Sequence, residues 1–297
     1  MYESFFGFAQ KPFSLLPNPY FLYGSRTHRI AINLLQYGLE EQTGYVVLTG
    51  EVGTGKTTLL RELLHRSYGN LTIGLVTNTH HSFGELMKWI LSAYDLPFRD
   101  KDRVEQHQAL LDFVIDRYAA GKRVILIIDE AQNLSGEALE QLRMLSNINS
   151  ENDHLLQVIM VGQPELRQML ASPTLRQFVQ RIAVDYHLEP LTVEEVEGYI
   201  AHRLKTAGGD PNLFTADACR AAHFFSGGIP RLVNAVCDYA LVFAFADERR
   251  QIDIDTVLDA AAERMQGGLG SFTRIPEGIT RAQLRHALVT GEPLPTA

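Results

Sequence analysis

The stretch Gly50-Glu51-Val52-Gly53-Thr54-Gly55-Lys56-Thr57 decides the fold of this chain. Its glycines allow backbone N–H groups to turn inward around phosphate oxygens, in conformations that a Cβ atom would oppose. An apolar run over 45–49 precedes the stretch, and leucines at helical spacing follow it. The pattern G-x-x-x-x-G-K-[ST], set between a strand and a helix, predicts a loop that binds the phosphates of a nucleoside triphosphate.

The side chains of this loop have separate expected roles. We expect Lys56 to reach the β- and γ-phosphates, and Thr57 to give its hydroxyl oxygen to Mg²⁺. The helix that follows directs the positive end of its dipole toward the anion. The residues predicted to contact ATP in this loop are Gly50, Glu51, Val52, Gly53, Thr54, Gly55, Lys56, Thr57 and Thr58.

A second apolar run ends in two carboxylates. Val124-Ile125-Leu126-Ile127-Ile128 is typical of a parallel strand buried on both faces, and Asp129 and Glu130 follow it directly. Ligands bind at the carboxyl ends of strands in open α/β sheets. We therefore expect Asp129 to support Mg²⁺, directly or through water, and Glu130 to act as the general base on the attacking water. An Asp-Glu pair alone is commonly a solvated strand end, but the upstream loop favours the catalytic interpretation.

The rest of the pattern predicts an α/β fold, an αβα sandwich with a parallel sheet, followed by a small all-α lid. Further strands are predicted over 71–76 and 155–163, with helices at 26–40, 83–91 and 110–118. A capping box at Thr192 and Glu195 starts the helical region. The predicted divisions are an N-terminal strap (1–24), the nucleotide domain (25–190), the lid (191–265), and a linker with a C-terminal tail (266–297).

The two ends of the chain have less specific patterns. The strap is aromatic and rich in proline. We expect Tyr20, Phe21 or Tyr23 either to contact adenine or to pack onto the nucleotide domain. In the tail, 267–270 is a glycine-rich linker and a short helix is predicted after Thr280. We expect this tail to be frayed, with docking onto a partner as the alternative.

Composition limits the class of protein. The chain has 297 residues, 45% of them hydrophobic, and a net charge of -8, which argues against an extended basic surface for nucleic acid. Cys219 and Cys237 lie in apolar surroundings without metal-ligand spacing and are expected to be buried, reduced thiols. No secretory signal or membrane-spanning run is found in the sequence, so we expect a cytoplasmic protein.

Five motifs together resemble the AAA+ ATPases, and within them the ExeA/GspA-type secretion ATPases, over roughly residues 1–265. They are Phe5-Phe6-Gly7 with Lys11-Pro12-Phe13; 48–58, which contains the phosphate loop; Asp129-Glu130-Ala131-Gln132; Val161-Gly162-Gln163-Pro164-Glu165-Leu166; and Gly227-Gly228-Ile229-Pro230-Arg231.

The resemblance implies further site residues and an assembly. Gln163, at the end of a strand, would sense the γ-phosphate, and Arg231, at the start of a helix, would reach over the phosphates. A homo-oligomer, a ring or a dimer, would complete each site from a neighbouring subunit. Arg181 is the first candidate for an arginine finger acting in trans, and Arg176 the second. A surface ion pair is the alternative role for either arginine.

Three functions follow from these patterns. The leading hypothesis is Mg²⁺-dependent ATP hydrolysis that assembles or remodels a cell-envelope export system, at the inner membrane through protein partners. The competing hypothesis is an ATP-dependent DNA-binding regulator of the transposition type, against which the acidic charge counts. The third is a nucleotide-dependent switch without turnover, which the adjacent carboxylates Asp129 and Glu130 disfavour.

Overall fold

The computed structural model describes residues 1–16, 18–66, 70–77, 85–145, 148, 154–266 and 272–294. The predicted helical position Phe83 and the linker 267–270 lie outside these ranges. The strands are β1 (Tyr45–Gly50), β2 (Leu71–Val76), β3 (Arg123–Ile128), β4 (Leu156–Gly162) and β5 (Ile182–Leu188). The helices are α1 (Glu3–Phe6), α2 (Arg26–Glu40), α3 (Lys56–Arg66), α4 (Leu86–Ala93), α5 (Arg103–Ala119), α6 (Gly136–Leu145), α7 (Pro164–Leu170), α8 (Arg176–Val179), α9 (Val193–Thr206), α10 (Ala216–Ser226), α11 (Pro230–Ala246), α12 (Ile254–Gln266) and α13 (Arg281–Thr290).

The strands form one sheet in the order β2-β3-β4-β1-β5, and every neighbouring pair is parallel. Parallel neighbours need crossover connections, which the intervening helices provide. The carboxyl ends of all five strands therefore lie at one edge of the sheet. The prediction of an αβα fold with a parallel sheet is confirmed.

The central strands β1, β3 and β4 of the sheet are buried on both faces. In β3, Val124, Leu126 and Ile128 belong to one hydrophobic cluster, which includes residues of α4, α5 and α6. Ile125 and Ile127 belong to a second cluster, which includes residues of α2 and α3. Successive side chains of a strand point to opposite faces, so an uninterrupted apolar strand requires helices on both sides.

The chain divides into two compact units. The sheet unit consists of Arg26–Glu51 and Leu59–Leu188, and the lid unit consists of Met1–Ser25, Val52–Thr58 and Glu189–Ala297. The lid unit thus includes the N-terminal strap, most of the phosphate loop and α13.

A buried arginine fastens the strap within the lid unit. Arg203 of α9 is 7% exposed, and its guanidinium donates to the carbonyl oxygens of Pro12 at 2.6 Å and Ser14 at 3.4 Å. It also donates to the Tyr199 hydroxyl at 3.0 Å and lies 4.7 Å from the centre of the Phe21 ring. The strap aromatic Phe21 is therefore part of the core of the lid unit, whereas Tyr20 is 84% exposed.

The C-terminal helix α13 is docked and not frayed, contrary to the expectation from sequence. The predicted helix forms with a capping box at Thr280, and Leu284 is fully buried in the core of the lid unit. Arg220 of α10 donates to the carbonyl oxygen of Leu288 at 2.7 Å, and Arg285 pairs with Asp255 of α12 at 3.2 Å. Apolar burial and ion pairs together hold the helix on α10 and α12.

Both cysteines of the lid unit are free and buried, as expected. Burial raises the pKa of the Cys219 thiol to about 12, which keeps it protonated and unreactive. In the part of the chain that the structure describes, no helix is both long and apolar enough to cross a bilayer.

Candidate functional site

The phosphate loop connects the end of β1 at Gly50 to the start of α3 at Lys56. Gly53 has φ +89° and Gly55 has φ +101°, which are conformations that side chains with a Cβ rarely adopt. Thr54 between them is fully buried. The loop therefore has the backbone that the sequence pattern predicts, with Lys56 in the first turn of the following helix.

Within the lid unit, the loop is joined to the start of α11. The backbone N–H of Arg231 donates to the carbonyl oxygen of Gly53 at 3.2 Å. A Cβ atom at Gly53 would lie 2.6 Å from Cβ of Arg231 and 3.3 Å from Cγ2 of Ile229. The side chain of Arg231 is exposed. Sequence reasoning assigned a role to this side chain and missed the contact made by its backbone.

In the sheet unit, Glu130 and Gln163, two of the predicted catalytic residues, lie with Asp129 at the carboxyl edge of the sheet. Asp129 follows β3, and its backbone N–H donates to the carbonyl oxygen of Val76 at the end of β2 at 2.9 Å. The Asp129 carboxylate accepts a hydrogen bond from the backbone N–H of Glu130 at 2.9 Å. Gln163 follows β4, and its side-chain amide donates to Oε2 of Glu130 at 3.1 Å. The structure therefore brings Glu130 and Gln163 into direct contact.

One further residue at this edge was quoted in the sequence motif but given no role. Gln132 donates through Nε2 to the same oxygen of Glu130 at 2.5 Å, and its Oε1 accepts from the backbone N–H of Gln163 at 3.0 Å. The only sequence signal was an amide residue two positions after the Glu. Its partner Gln163, directly after β4, is 31 positions away and cannot be found from local spacing.

Comparison with known proteins identifies relatives of this chain. Residues 39–170 match the family described as AAA domain. The chain is 45% identical over 248 residues, 83% of its length, to General secretion pathway protein A of Aeromonas hydrophila, and spans 45% of that protein. The chain is an AAA+ protein of the ExeA/GspA type.

Solved structures of other proteins share the fold of this AAA+ chain. The Aeropyrum pernix ORC2 protein, in its ADPNP-ADP complexes, matches 90% of this chain and 74% of its own with a TM-score of 0.58 and 18% identity. Cdc6p from Pyrobaculum aerophilum matches 88% of this chain and 70% of its own, with a TM-score of 0.60 and 18% identity. The Thermotoga maritima RuvB Holliday junction branch migration motor matches 81% of this chain and 69% of its own, at TM-score 0.52 and 17% identity.

The two candidate finger arginines of this AAA+ chain differ in their surroundings. Arg181 precedes β5, is half-buried, and donates through Nη1 to the carbonyl oxygen of Arg143 at 3.1 Å. Arg176 begins α8 and is exposed, and its side chain forms no hydrogen bond or ion pair with another residue in the described ranges. The amino end of β5 is the sheet edge opposite the carboxyl ends, so Arg181 lies away from Glu130 of its own subunit.

The residues of this AAA+ chain are suited to bind a nucleoside triphosphate with Mg²⁺. The left-handed glycines of the loop and the amino end of α3 suit an anion. Mg²⁺ prefers oxygen ligands and takes one or two from protein together with substrate phosphates. The hydroxyl of Thr57 and the carboxylate of Asp129 are ligands of that kind. When bound, the ion would neutralise charge on the phosphate oxygens.

Proposed function

We propose that this chain hydrolyses ATP to ADP and phosphate with Mg²⁺, using Glu130 as the general base. Glu130 draws a proton from a water molecule, and the water oxygen bonds to the γ-phosphorus. The bond from the γ-phosphorus to the bridging oxygen breaks, and its electron pair stays on ADP. Lys56 binds the β- and γ-phosphates, while Thr57 and Asp129 hold the metal.

One observation carries this proposal: the Glu130 carboxylate lies at the carboxyl edge of the sheet, hydrogen-bonded to the side chain of Gln163 at 3.1 Å. A general base needs a fixed position at the edge where the nucleotide binds. The amide of Gln163 is a hydrogen-bond donor at that edge, and the γ-phosphate is an acceptor to which it can turn. We infer that Gln163 senses the γ-phosphate and that the Arg231 side chain contacts the phosphates from the lid unit.

We further propose that hydrolysis serves the assembly or remodelling of a cell-envelope export system, through protein partners at the inner membrane. The support is the 45% identity to a protein named for the general secretion pathway. The chain would act as a homo-oligomer in which an arginine of one subunit neutralises charge on the γ-phosphate of its neighbour. We rank Arg176 ahead of Arg181, because an exposed side chain can reach another subunit without breaking an internal hydrogen bond.

The test measures ATP binding and phosphate release by the wild-type chain and by Lys56→Ala, over a wide range of protein concentration. Wild type should bind ATP and release phosphate with a rate per molecule that rises steeply with concentration. Lys56→Ala should lose both binding and turnover. ATP binding without phosphate release at any concentration would contradict the hydrolase and favour a switch. Turnover that appears only with duplex DNA would contradict the envelope role.

A further inference from the structure

The side chain of Gln132 connects two residues of the proposed hydrolysis site. It donates to Oε2 of Glu130 at 2.5 Å and accepts from the backbone N–H of Gln163 at 3.0 Å. Both bonds use the amide, one through nitrogen and one through oxygen. The carboxylate of Glu130 is thereby connected, through one side chain, to the backbone at the junction of β4 and α7.

The backbone around Glu130 is held in a conformation that a side chain disfavours. Glu130 has φ +53° and ψ +38°, in the left-handed region. A non-glycine residue there is strained and persists only where the surroundings determine it. The carbonyl oxygen of Glu130 accepts from the N–H of Asn133 at 3.0 Å, which closes the turn Ala131–Asn133 that carries Gln132. The turn and the amide of Gln132 together fix the direction of the carboxylate.

The end of β4 leaves room for Gln132. A Cβ atom at Gly162 would lie 3.0 Å from Oε1 of Gln132 and 2.8 Å from Cδ2 of Leu166. Any larger residue at 162 would therefore push against the amide that accepts from Gln163. Gly162 at the end of β4 therefore provides the space that the side chain of Gln132 occupies.

We propose that Gln132 is a positioning residue that keeps the Glu130 carboxylate in place while the amide of Gln163 turns to the γ-phosphate. This inference rests on the proposed function. The side-chain amides of Gln132 and Gln163 donate to the same oxygen of Glu130, and they differ in their other hydrogen-bond partners. The γ-phosphate is a strong acceptor and competes for the Gln163 side chain, whereas Gln132 is also tied to a backbone N–H. When Gln163 leaves, Gln132 retains the carboxylate and one lone pair of Oε2 becomes open to water.

The test substitutes Gln132 with Met, which has the same length and no amide. The kcat for ATP should fall at least about tenfold, because a misplaced base loses most of its advantage, while the KM and the dissociation constant for ATP stay within about twofold. The kcat of Gln132→Ala should fall by a similar factor. The matched control is Gln108→Met, since Gln108 is an exposed glutamine bonded to Asp112 on α5, and its kcat should equal that of wild type.

The outcomes separate the two proposals. A wild-type chain that binds ATP but never hydrolyses it overturns the proposed function and this inference with it. A wild-type chain that hydrolyses ATP, with Gln132→Met at the same kcat, overturns the inference alone and shows that the side chain only fills space. If circular dichroism shows that Gln132→Met does not fold, Gln132→Asn replaces it. The shorter side chain of Asn cannot reach both Glu130 and Gln163, so the same fall in kcat is expected.

Discussion

The backbone N–H of Arg231 donates a hydrogen bond to the carbonyl oxygen of Gly53, which joins the phosphate loop to the first turn of α11. This contact needs a glycine, because a Cβ at position 53 would lie 2.6 Å from Cβ of Arg231. The loop and the lid helix therefore cannot both keep their positions if residue 53 gains a side chain.

The variant Gly53→Ala should lose ATP affinity by at least about tenfold, because the loop must move away from α11 or change its φ. The measurement is ATP binding by calorimetry. Gly121→Ala is the matched control, since Gly121 also has a positive φ, +69°, and a Cβ added there would have no neighbouring atom within 4 Å. Both variants carry a backbone cost of about 1–2 kcal/mol. Equal ATP affinity in the two variants would contradict a role for the Gly53–Arg231 contact.

The exposed Arg176 should act on the nucleotide of a neighbouring subunit. Arg176→Ala should reduce kcat about 100-fold or more with little change in ATP affinity, the effect expected for a lost arginine finger. Mixing Arg176→Ala with Lys56→Ala should restore part of the activity, because each protein supplies what the other lacks. Arg181→Ala should instead lose about 1 kcal/mol of stability with its bond to the Arg143 carbonyl. A mixture as inactive as its components would argue that Arg176 acts elsewhere.

The buried Arg203 should be essential for the stability of the lid unit. Arg203→Leu removes the donor for the carbonyl oxygens of Pro12 and Ser14 and should cost about 2–4 kcal/mol of unfolding free energy. Urea denaturation measures this loss, and Lys205→Leu, on the exposed side of the same helix, is the control. A loss below about 1 kcal/mol would mean that the strap is held mainly by its aromatic residues.

Two histidines of the lid unit predict a dependence of stability on pH. Burial, with the charges of Arg203 and Lys205, lowers the pKa of His202, and burial also lowers the pKa of His223. Because the unfolded chain then binds more protons than the folded chain, stability should be full above about pH 6.5 and should fall as pH decreases below it. The melting temperature from pH 7.5 to 5.5 measures this, and the double variant His202→Gln with His223→Gln should show a smaller decrease. Identical slopes for wild type and variant would refute the assignment.

The sheet and the phosphate loop could be predicted because residues close together in the sequence determine them. The strand 71–76 has the predicted bounds, and the glycine pattern from Gly50 to Gly55 specifies a backbone that few other residues allow. Asp129 and Glu130 were placed at the carboxyl edge from chain order alone, since all strands in such a fold run parallel. The contact between Glu130 and Gln163 follows from the same rule.

The remaining contacts depend on residues far apart in sequence. Arg203 has the pattern of an exposed helical residue, yet the strap covers it from 191 positions away. The tail was expected to fray because chain ends are commonly poorly ordered, but Leu284 is buried, and Arg281 and Arg285 pair with Asp255 of α12. Gln132 could not be assigned a role because the tertiary fold brings it to its partner Gln163, directly after β4.

If Glu130 is the general base for ATP hydrolysis, removing its charge in Glu130→Gln should stop turnover without removing the nucleotide. The measurement is phosphate release at saturating ATP and Mg²⁺, together with the dissociation constant for ATP, for wild type and variant at the same protein concentration. Turnover by Glu130→Gln should fall at least about 100-fold while ATP stays bound with unchanged affinity. Turnover by Glu130→Gln at the wild-type rate would contradict this role of Glu130.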